Sequence, residues 1–276
     1  MKKKYGIIGK PLSHSLSPTL HNYWFKKYNL DAEYLLLEIK EAEIEKILNK
    51  VRSKEINGIN VTLPYKQKVI PFLDELGENS SETKSVNTIW LQEKNKALKG
   101  DNTDVFGLLA GYFKEIIGVK NLNTKVLILG AGGVAPSVIY ALQKSLVNNI
   151  YLSNRTQSKS IFLKKKFKNI KILEWKEVKK SVENFDIIIN ATSLGLKGGD
   201  NFDFSFNNCK ASMIYIDTIY NPLKTKMIEK LNNQEIKTFN GLDMFLYQGQ
   251  KSFYLWHEIN PEINDELINL LKKKIK

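Results

Sequence analysis

The run Gly130-Ala131-Gly132-Gly133-Val134-Ala135 carries its chemistry in the backbone. It follows the apolar segment Lys125–Leu129 and opens the helical pattern Val134–Leu146, which makes it a G-x-G-x-x-A turn between a buried strand and a helix. Such a turn leaves main-chain N–H groups and the positive end of the helix dipole facing outward, a cradle for a pyrophosphate. Gly130 permits the tight turn, Gly132 lets the backbone approach the phosphates, and Ala135 lets the helix lie close to the strand. An acid at the end of the second strand would accept from a ribose 2′-hydroxyl. Here Ile150-Tyr151-Leu152-Ser153 ends in Asn154-Arg155-Thr156, and no acid occurs between Ile150 and Leu173. A guanidinium pairs with a 2′-phosphate and Thr156 adds a hydroxyl, so the expected cofactor is NADP(H) rather than NAD(H).

Four polar clusters precede this turn. Gly9-Lys10-Pro11-Leu12-Ser13-His14-Ser15-Leu16-Ser17-Pro18 lies between a strand and a helix, at the strand end where open α/β sheets bind ligands. Ser15 and Ser17 can donate to a carboxylate or to hydroxyls, or Ser17 can cap its helix while Ser15 supports the turn. Asn60-Val61-Thr62-Leu63-Pro64-Tyr65-Lys66 repeats the arrangement: a strand end, a polar pair, a proline opening a helix, and a lysine in its first turn. That lysine opposes the helix dipole, a small cost that invites a functional reason, although a solvated surface lysine is the plainer reading. Ser85-Val86-Asn87-Thr88 follows, then Gly100-Asp101-Asn102-Thr103-Asp104, where Asn102 or Thr103 can cap the helix Val105–Ile117 and Asp104 is a first-turn acid. His14 and His21 signal no third ligand, so no metal is expected.

The elements that must position these groups alternate strand and helix, which predicts an α/β fold with largely parallel sheets. Strands are predicted at Tyr5–Gly9, Glu33–Ile39 and Ile56–Val61, with a pair near Thr88–Leu91 and Ala97–Gly100. Helices are predicted from Ser17 to about Tyr28, with Ser17 as N-cap, and over Glu41–Arg52, where Ile44, Ile47, Leu48 and Val51 share a face. After Val105–Ile117 and a polar break at Asn121–Lys125, the pattern runs Val126–Leu129, Val134–Leu146, Ile150–Ser153, Gln157–Phe167, Ile170–Leu173, Phe185–Asn190, Met213–Asp217 and Leu223–Leu231. A helix from Leu242 to about Trp256 and another after Pro261 close the chain.

At 276 residues, 42% hydrophobic and 26% charged, the chain has room for two domains and an ordinary soluble composition. Cys209 is the only cysteine, which excludes an internal disulfide and a cysteine-rich zinc site. No apolar run approaches a membrane span, and no secretory leader is legible, so a cytoplasmic protein is expected. The formal net charge is +13, yet Arg52 and Arg155 are the only arginines among 42 basic residues. Nucleic-acid readers favour arginine forks, so a lysine-rich surface that attracts small anions is expected rather than a nucleic-acid face.

Taken in order, these motifs resemble the shikimate dehydrogenase family nearly end to end. The resemblance rests on Gly9-Lys10-Pro11 with Ser15, Ser17-Pro18 and His21-Asn22; on Asn60-Val61-Thr62, Pro64 and Lys66; on Val86-Asn87-Thr88 and Asn102-Thr103-Asp104. It continues through the glycine turn, Asn154-Arg155-Thr156, Asn190-Ala191-Thr192-Ser193 with Gly195, Tyr220-Asn221-Pro222, and Gly241, Met244, Gln248-Gly249. It implies reversible NADPH-dependent reduction of 3-dehydroshikimate to shikimate in aromatic amino-acid (chorismate) biosynthesis. It implies a substrate domain from 1–104 plus 242–276, with the carboxyl-terminal helices returning to it, and a Rossmann-like, doubly wound NADP-binding domain over 105–241.

Residues matching Ser15 and Ser17 hold the substrate carboxylate in that family, and those matching Thr62, Lys66, Asn87, Asp104, Tyr220 and Gln248 contact the carboxylate or ring hydroxyls. Lys66 and Asp104 match the catalytic pair, with Lys66 as acid–base or as an electrostatic polariser. Gly130 through Ala135, Asn154, Arg155, Thr156, Lys159, Thr192 and Gly241 match the cofactor side. This chain departs at Val134, at Ser85 where alanine is usual, at Lys159 where an arginine often helps hold the 2′-phosphate, and at Asn240 and Asp243 around Gly241. A small-molecule substrate is the expected partner, with neither nucleic acid nor membrane, and a homodimer is left open. The rival readings are an NAD-using quinate/shikimate dehydrogenase, a methylenetetrahydrofolate dehydrogenase of comparable plan, and a non-catalytic nucleotide-binding protein.

Overall fold

A strand covered on both faces must be apolar throughout, and Val126-Leu127-Ile128-Leu129 meets that condition: all four are wholly buried. The structure, a computed structural model, describes residues 2–116, 123–204 and 206–275. The chain divides into two compact units, Met1–Gly107 with Leu246–Lys274, and Leu108–Phe245 with Ile275–Lys276.

The first unit holds a six-stranded mixed sheet of β1 (Lys3–Gly9), β2 (Ala32–Glu38), β3 (Gly58–Val61), β4 (Glu75–Leu76), β5 (Thr88–Leu91) and β6 (Leu98–Asp101). Their order is β2-β1-β3-β5-β6-β4. β1 runs parallel to β2 and β3, β5 runs antiparallel to β3 and β6, and β4 is parallel to β6. The strand pair expected from the sequence is the β5–β6 hairpin. The helix Ile44–Arg52 buries Ile44, Leu48 and Val51 against Ile8, Ile59, Val61, Ile89 and Leu98, with Ile47 half-buried at the edge of that stripe. A separate aromatic layer joins Trp24 and Phe25 of the helix Ser17–Lys27 to Tyr5, Phe253 and Trp256, with ring centroids 5.1–5.6 Å apart. Phe253 and Trp256 come from the helix Leu242–His257. The closing helix Asp265–Lys274 packs on Ser17–Lys27, where the Tyr23 hydroxyl donates to Glu266 at 2.8 Å and Trp24 Nε1 to the Glu262 carbonyl at 3.0 Å.

The second unit holds β7 (Lys125–Leu129), β8 (Asn149–Ser153), β9 (Lys171–Ile172), β10 (Ile187–Asn190), β11 (Ile214–Asp217) and β12 (Lys237–Phe239), all parallel, in the order β12-β11-β10-β7-β8-β9. The chain starts in the middle, winds outward one way and then the other, which is the doubly wound arrangement with its switch point between β7 and β10. Its core joins Leu127 and Leu129 to Ile188, Tyr215, Met227, Ile228 and Leu231. No helix among the described residues is long and apolar enough to cross a membrane.

Several expectations need correction. No helix opens at Pro64; turns at residues 63–64 and 66–69 lead to a single 3₁₀ turn, Ile70–Phe72. The Lys66 carbonyl accepts from Val86 N–H at 2.8 Å, so the segment is tied to the stretch leading into β5 rather than to its own next turn. The dipole argument about Lys66 therefore falls. Ser17 is not the N-cap: the helix starts at Ser17, with Leu16 in the cap position and no side-chain cap. Helix 41–52 opens with a 3₁₀ turn, Glu41–Glu43. The helix expected over Val105–Ile117 begins at Asp104 and carries a π-helical turn at Leu109–Phe113. The end of that expectation at Ile117 and the start of the break at Asn121 lie outside the described residues.

Candidate active site

Register brings the first-unit clusters to one edge. β1 and β3 are parallel, so their carboxyl ends, Gly9 and Val61, lie side by side, and Thr62 N–H donates to the Ile8 carbonyl at 2.9 Å. Because β5 is antiparallel to both neighbours, its first residue Thr88 pairs with Asn60 on one side and Asp101 on the other. Ser15, Ser17, Thr62, Lys66, Asn87 and Asp104 all belong to segments leaving or entering that edge.

Lys66 Nζ lies 2.6 Å from Asp104 Oδ2, with side chains 14% and 7% exposed. The other carboxylate oxygen of Asp104 accepts from Asn87 Nδ2 at 2.8 Å, and Asn87 Nδ2 also reaches Gln248 Oε1 at 3.5 Å. Asp104 is the first residue of its helix, where a carboxylate complements the dipole, and its N–H donates to Asn102 Oδ1 at 3.1 Å. An ion pair this far from water stays together because separating the charges would leave each one desolvated and alone. Ser15 Oγ accepts from Ser17 N–H at 3.3 Å, and Ser17 is buried. Tyr220 belongs to the second unit, half-buried with its ring 4.8 Å from Phe245.

At the switch point, Gly130 adopts φ +106° and its N–H donates to the Ser153 carbonyl at 2.7 Å. A Cβ there would stand 2.7 Å from Thr192 Cγ2 and 2.8 Å from the Ala191 backbone, so only glycine makes this turn. Asn154 braces it, accepting from Ala131 N–H at 3.0 Å and donating to the Thr156 carbonyl at 2.8 Å. Asn190 Oδ1 holds Thr192 through its N–H at 3.0 Å and its hydroxyl at 2.7 Å, while Asn190 Nδ2 donates to Asp217 at 3.0 Å. Burial pushes the Asp217 carboxyl up to about 6, against donations from Ile219, Thr225 and Asn190. Gly241 lies against the Thr218 carbonyl and donates its N–H to the Ile219 carbonyl at 2.8 Å.

The residues fit a phosphorylated dinucleotide on two counts. A Cβ built on Gly132 meets nothing closer than the Ala191 carbonyl at 3.9 Å, so an open space faces bare backbone at the start of the helix Ala135–Lys144, where Val134 holds the cap position and Ala135 is buried. Arg155, Thr156 and Lys159 are exposed beyond β8, two cations and a hydroxyl with no acid in their own segment. Asp200, which local reading does not reach, stands 4.0 Å from Arg155, both side chains largely solvated.

Two family models match the chain: "Shikimate dehydrogenase substrate binding domain" over residues 7–89 and "Shikimate / quinate 5-dehydrogenase" over residues 114–238. The NADP(+) shikimate dehydrogenase of Pelagibacter ubique is 46% identical, the match covering 98% of this chain and 99% of that one. The chain belongs to the shikimate dehydrogenase family. The structure of the shikimate dehydrogenase from Aquifex aeolicus superposes with a TM-score of 0.87 at 32% identity, covering 100% of this chain and 98% of that one. That of the shikimate 5-dehydrogenase from Thermus thermophilus, in complex with NADP(H) and shikimate, gives 0.86 at 25% identity, covering 99% of each chain.

A layer of buried polar residues, partly inside the motifs read from the sequence, stands behind Asn87. Asn60, Thr88 and Thr103 enter the sequence reading only as members of motifs, and Tyr34 and Ser252 not at all. Ser252 has a signal: it sits four residues after Gln248 on an apolar helix, hence on the same face.

Proposed function

We propose that this chain reversibly reduces 3-dehydroshikimate to shikimate with NADP(H), as a shikimate dehydrogenase of aromatic amino-acid biosynthesis. The observation that carries this reading is the buried Lys66–Asp104 pair at 2.6 Å beside Asn87, in a chain of this family. Residues 1–104 with 242–276 form the substrate domain in this reading, and 105–241 the NADP-binding domain. The protein works in the cytoplasm on a small molecule, with neither nucleic acid nor membrane as partner.

NADPH, when bound, supplies the hydride to the carbonyl carbon. The chain manages one proton and holds the reactants. Lys66 Nζ gives its proton to the carbonyl oxygen as that oxygen becomes a hydroxyl, and recovers it in the reverse direction. Asp104 keeps the Lys66 ammonium in place and accepts from a ring hydroxyl, while Asn87 fixes the second carboxylate oxygen. Ser15 and Ser17 donate to the substrate carboxylate, and Thr62, Tyr220 and Gln248 hold the carboxylate or ring hydroxyls. The N–H groups of the turn Gly130–Val134 receive the pyrophosphate. Arg155 with Asn154, Thr156 and Lys159 receives the 2′-phosphate, and Thr192 and Gly241 line the remaining cofactor side.

Shikimate or quinate is mixed with the protein and NADP⁺ or NAD⁺, and absorbance is followed at the reduced-nicotinamide band. Shikimate with NADP⁺ gives the fastest rise. Turnover of quinate with NAD⁺ in the absence of shikimate turnover would replace this reading by the quinate one.

A further inference from the structure

An asparagine amide has one accepting end and one donating end, and which end faces Asp104 decides whether that carboxylate is held or repelled. Asn87 Oδ1 accepts from the main-chain N–H of Thr103 at 2.8 Å, a contact that only the oxygen can make. The same oxygen lies 3.0 Å from the Thr103 hydroxyl and 3.1 Å from that of Thr88. The NH₂ end is thereby turned to Asp104 Oδ1 at 2.8 Å.

Behind the amide, the hydroxyls of Thr88, Thr103 and Ser252 form a triangle with sides of 2.7, 3.2 and 3.3 Å. All three residues are buried to 1% exposure or less. Their protons can be placed without conflict. Ser252 donates to the Gln248 carbonyl at 3.0 Å, Thr103 to Asn87 Oδ1, and Thr88 to Ser252. Asn60 fixes the direction from outside, its Nδ2 donating to Thr88 Oγ1 at 3.1 Å and Ser252 Oγ at 3.0 Å while its Oδ1 takes the Tyr34 hydroxyl at 2.7 Å. In this arrangement the Thr103 N–H and hydroxyl both donate to Asn87 Oδ1, and a flipped amide would face that N–H with its own NH₂ and force the hydroxyls to re-orient.

We propose that Thr88, Thr103 and Ser252 are positioning residues for the reaction: their hydroxyl triangle locks the Asn87 amide with its NH₂ toward Asp104. Flipped, the amide would set an oxygen 2.8 Å from a carboxylate oxygen, and Asp104 would leave the position from which it holds Lys66. The inference rests on the reading of Asp104 as half of the acid–base pair.

The test combines a spectrum with kinetics. The ¹⁵N-labelled side-chain NH₂ signal of Asn87, assigned by its disappearance in Asn87→Asp, moves in Asp104→Asn because the acceptor has changed. In Thr103→Val, which keeps the shape and removes the hydroxyl, and in Ser252→Ala, that signal broadens or doubles. The kcat for shikimate with NADP⁺ falls about 10- to 100-fold, KM for shikimate stays within about threefold, and Thr103→Ser restores both signal and rate. If Thr103→Val does not fold, Ser252→Ala carries the test. An unchanged Asn87 signal in both variants, or equal loss of kcat in Thr103→Ser, overturns the proposal. If the wild-type protein turns over no shikimate, the functional reading fails, and the amide spectrum still decides the orientation claim.

Discussion

Arg155 is one of two arginines in a chain otherwise furnished with lysine, and it stands exposed just past the second strand of the doubly wound sheet. A lysine there would give a point charge, whereas a guanidinium gives a planar fork that matches two phosphate oxygens. Replacing it by aspartate removes that fork and adds a repulsive charge. KM for NADP⁺ should then rise roughly 10- to 100-fold, the equivalent of a charge-assisted hydrogen bond, with much less change for NAD⁺; equal effects on both cofactors would place Arg155 away from the 2′-phosphate. Asp200 sets a subtler expectation. Its carboxylate is near enough to compete for the guanidinium, but solvated pairs are worth little. Asp200→Asn should therefore tighten NADP⁺ binding by no more than about fivefold, measured by titration calorimetry.

Most elements were legible where a pattern was long; the two-residue β9 was caught through the apolar run Ile170–Leu173, while other short elements were not. The alternation of apolar runs and helical stripes identified β1, β2, β7, β8, β10 and β11, because each is buried on both faces or strongly alternating. β4, two residues long, the three-residue β12 and the helix Glu78–Thr83 have too few residues to show a period. The turns after Pro64 were missed because Lys66 and Val86 are joined by a main-chain bond between distant segments, which no local rule contains. Backbone-encoded features, the glycine turn above all, were read closely. The hydroxyl triangle behind Asn87 joins three segments remote in sequence and was hidden for the same reason as the turns. Ser85 joins both levels. Its hydroxyl is buried without a hydrogen-bond partner. Ser85→Ala should stabilise the fold by about 1 kcal/mol, the penalty of such a group, read as a raised denaturation midpoint; a lowered one would mean the hydroxyl has a structural role.

For the whole molecule, acid stability is set by groups whose protonation differs between folded and unfolded chains. Burial holds His21 down to about 3 and His257 to about 4, so below about 6.5 the unfolded chain takes up protons at both that the folded one refuses. Asp217, raised to about 6, works the other way: the folded chain gains a proton as pH falls through 6. Two protons favour unfolding against one favouring folding, so stability declines from pH 7 to pH 4. His21 stacks on Tyr34 at 4.5 Å and neither ring nitrogen has a hydrogen-bond partner, so His21→Phe keeps the packing and removes the titration. Relative to wild type, its unfolding free energy should gain about 2 kcal/mol on going from about pH 7.5 to about pH 5, measured by urea denaturation; parallel pH curves would show that His21 does not titrate differently in the two states.

The claim on which the account turns is that the ammonium of Lys66, held by Asp104, handles the proton of the reaction. Steady-state kinetics of Lys66→Ala with shikimate and NADP⁺ addresses it most directly. The expected outcome is a kcat lower by about 10²- to 10⁴-fold with KM for shikimate raised far less. A variant that keeps the wild-type kcat would contradict it.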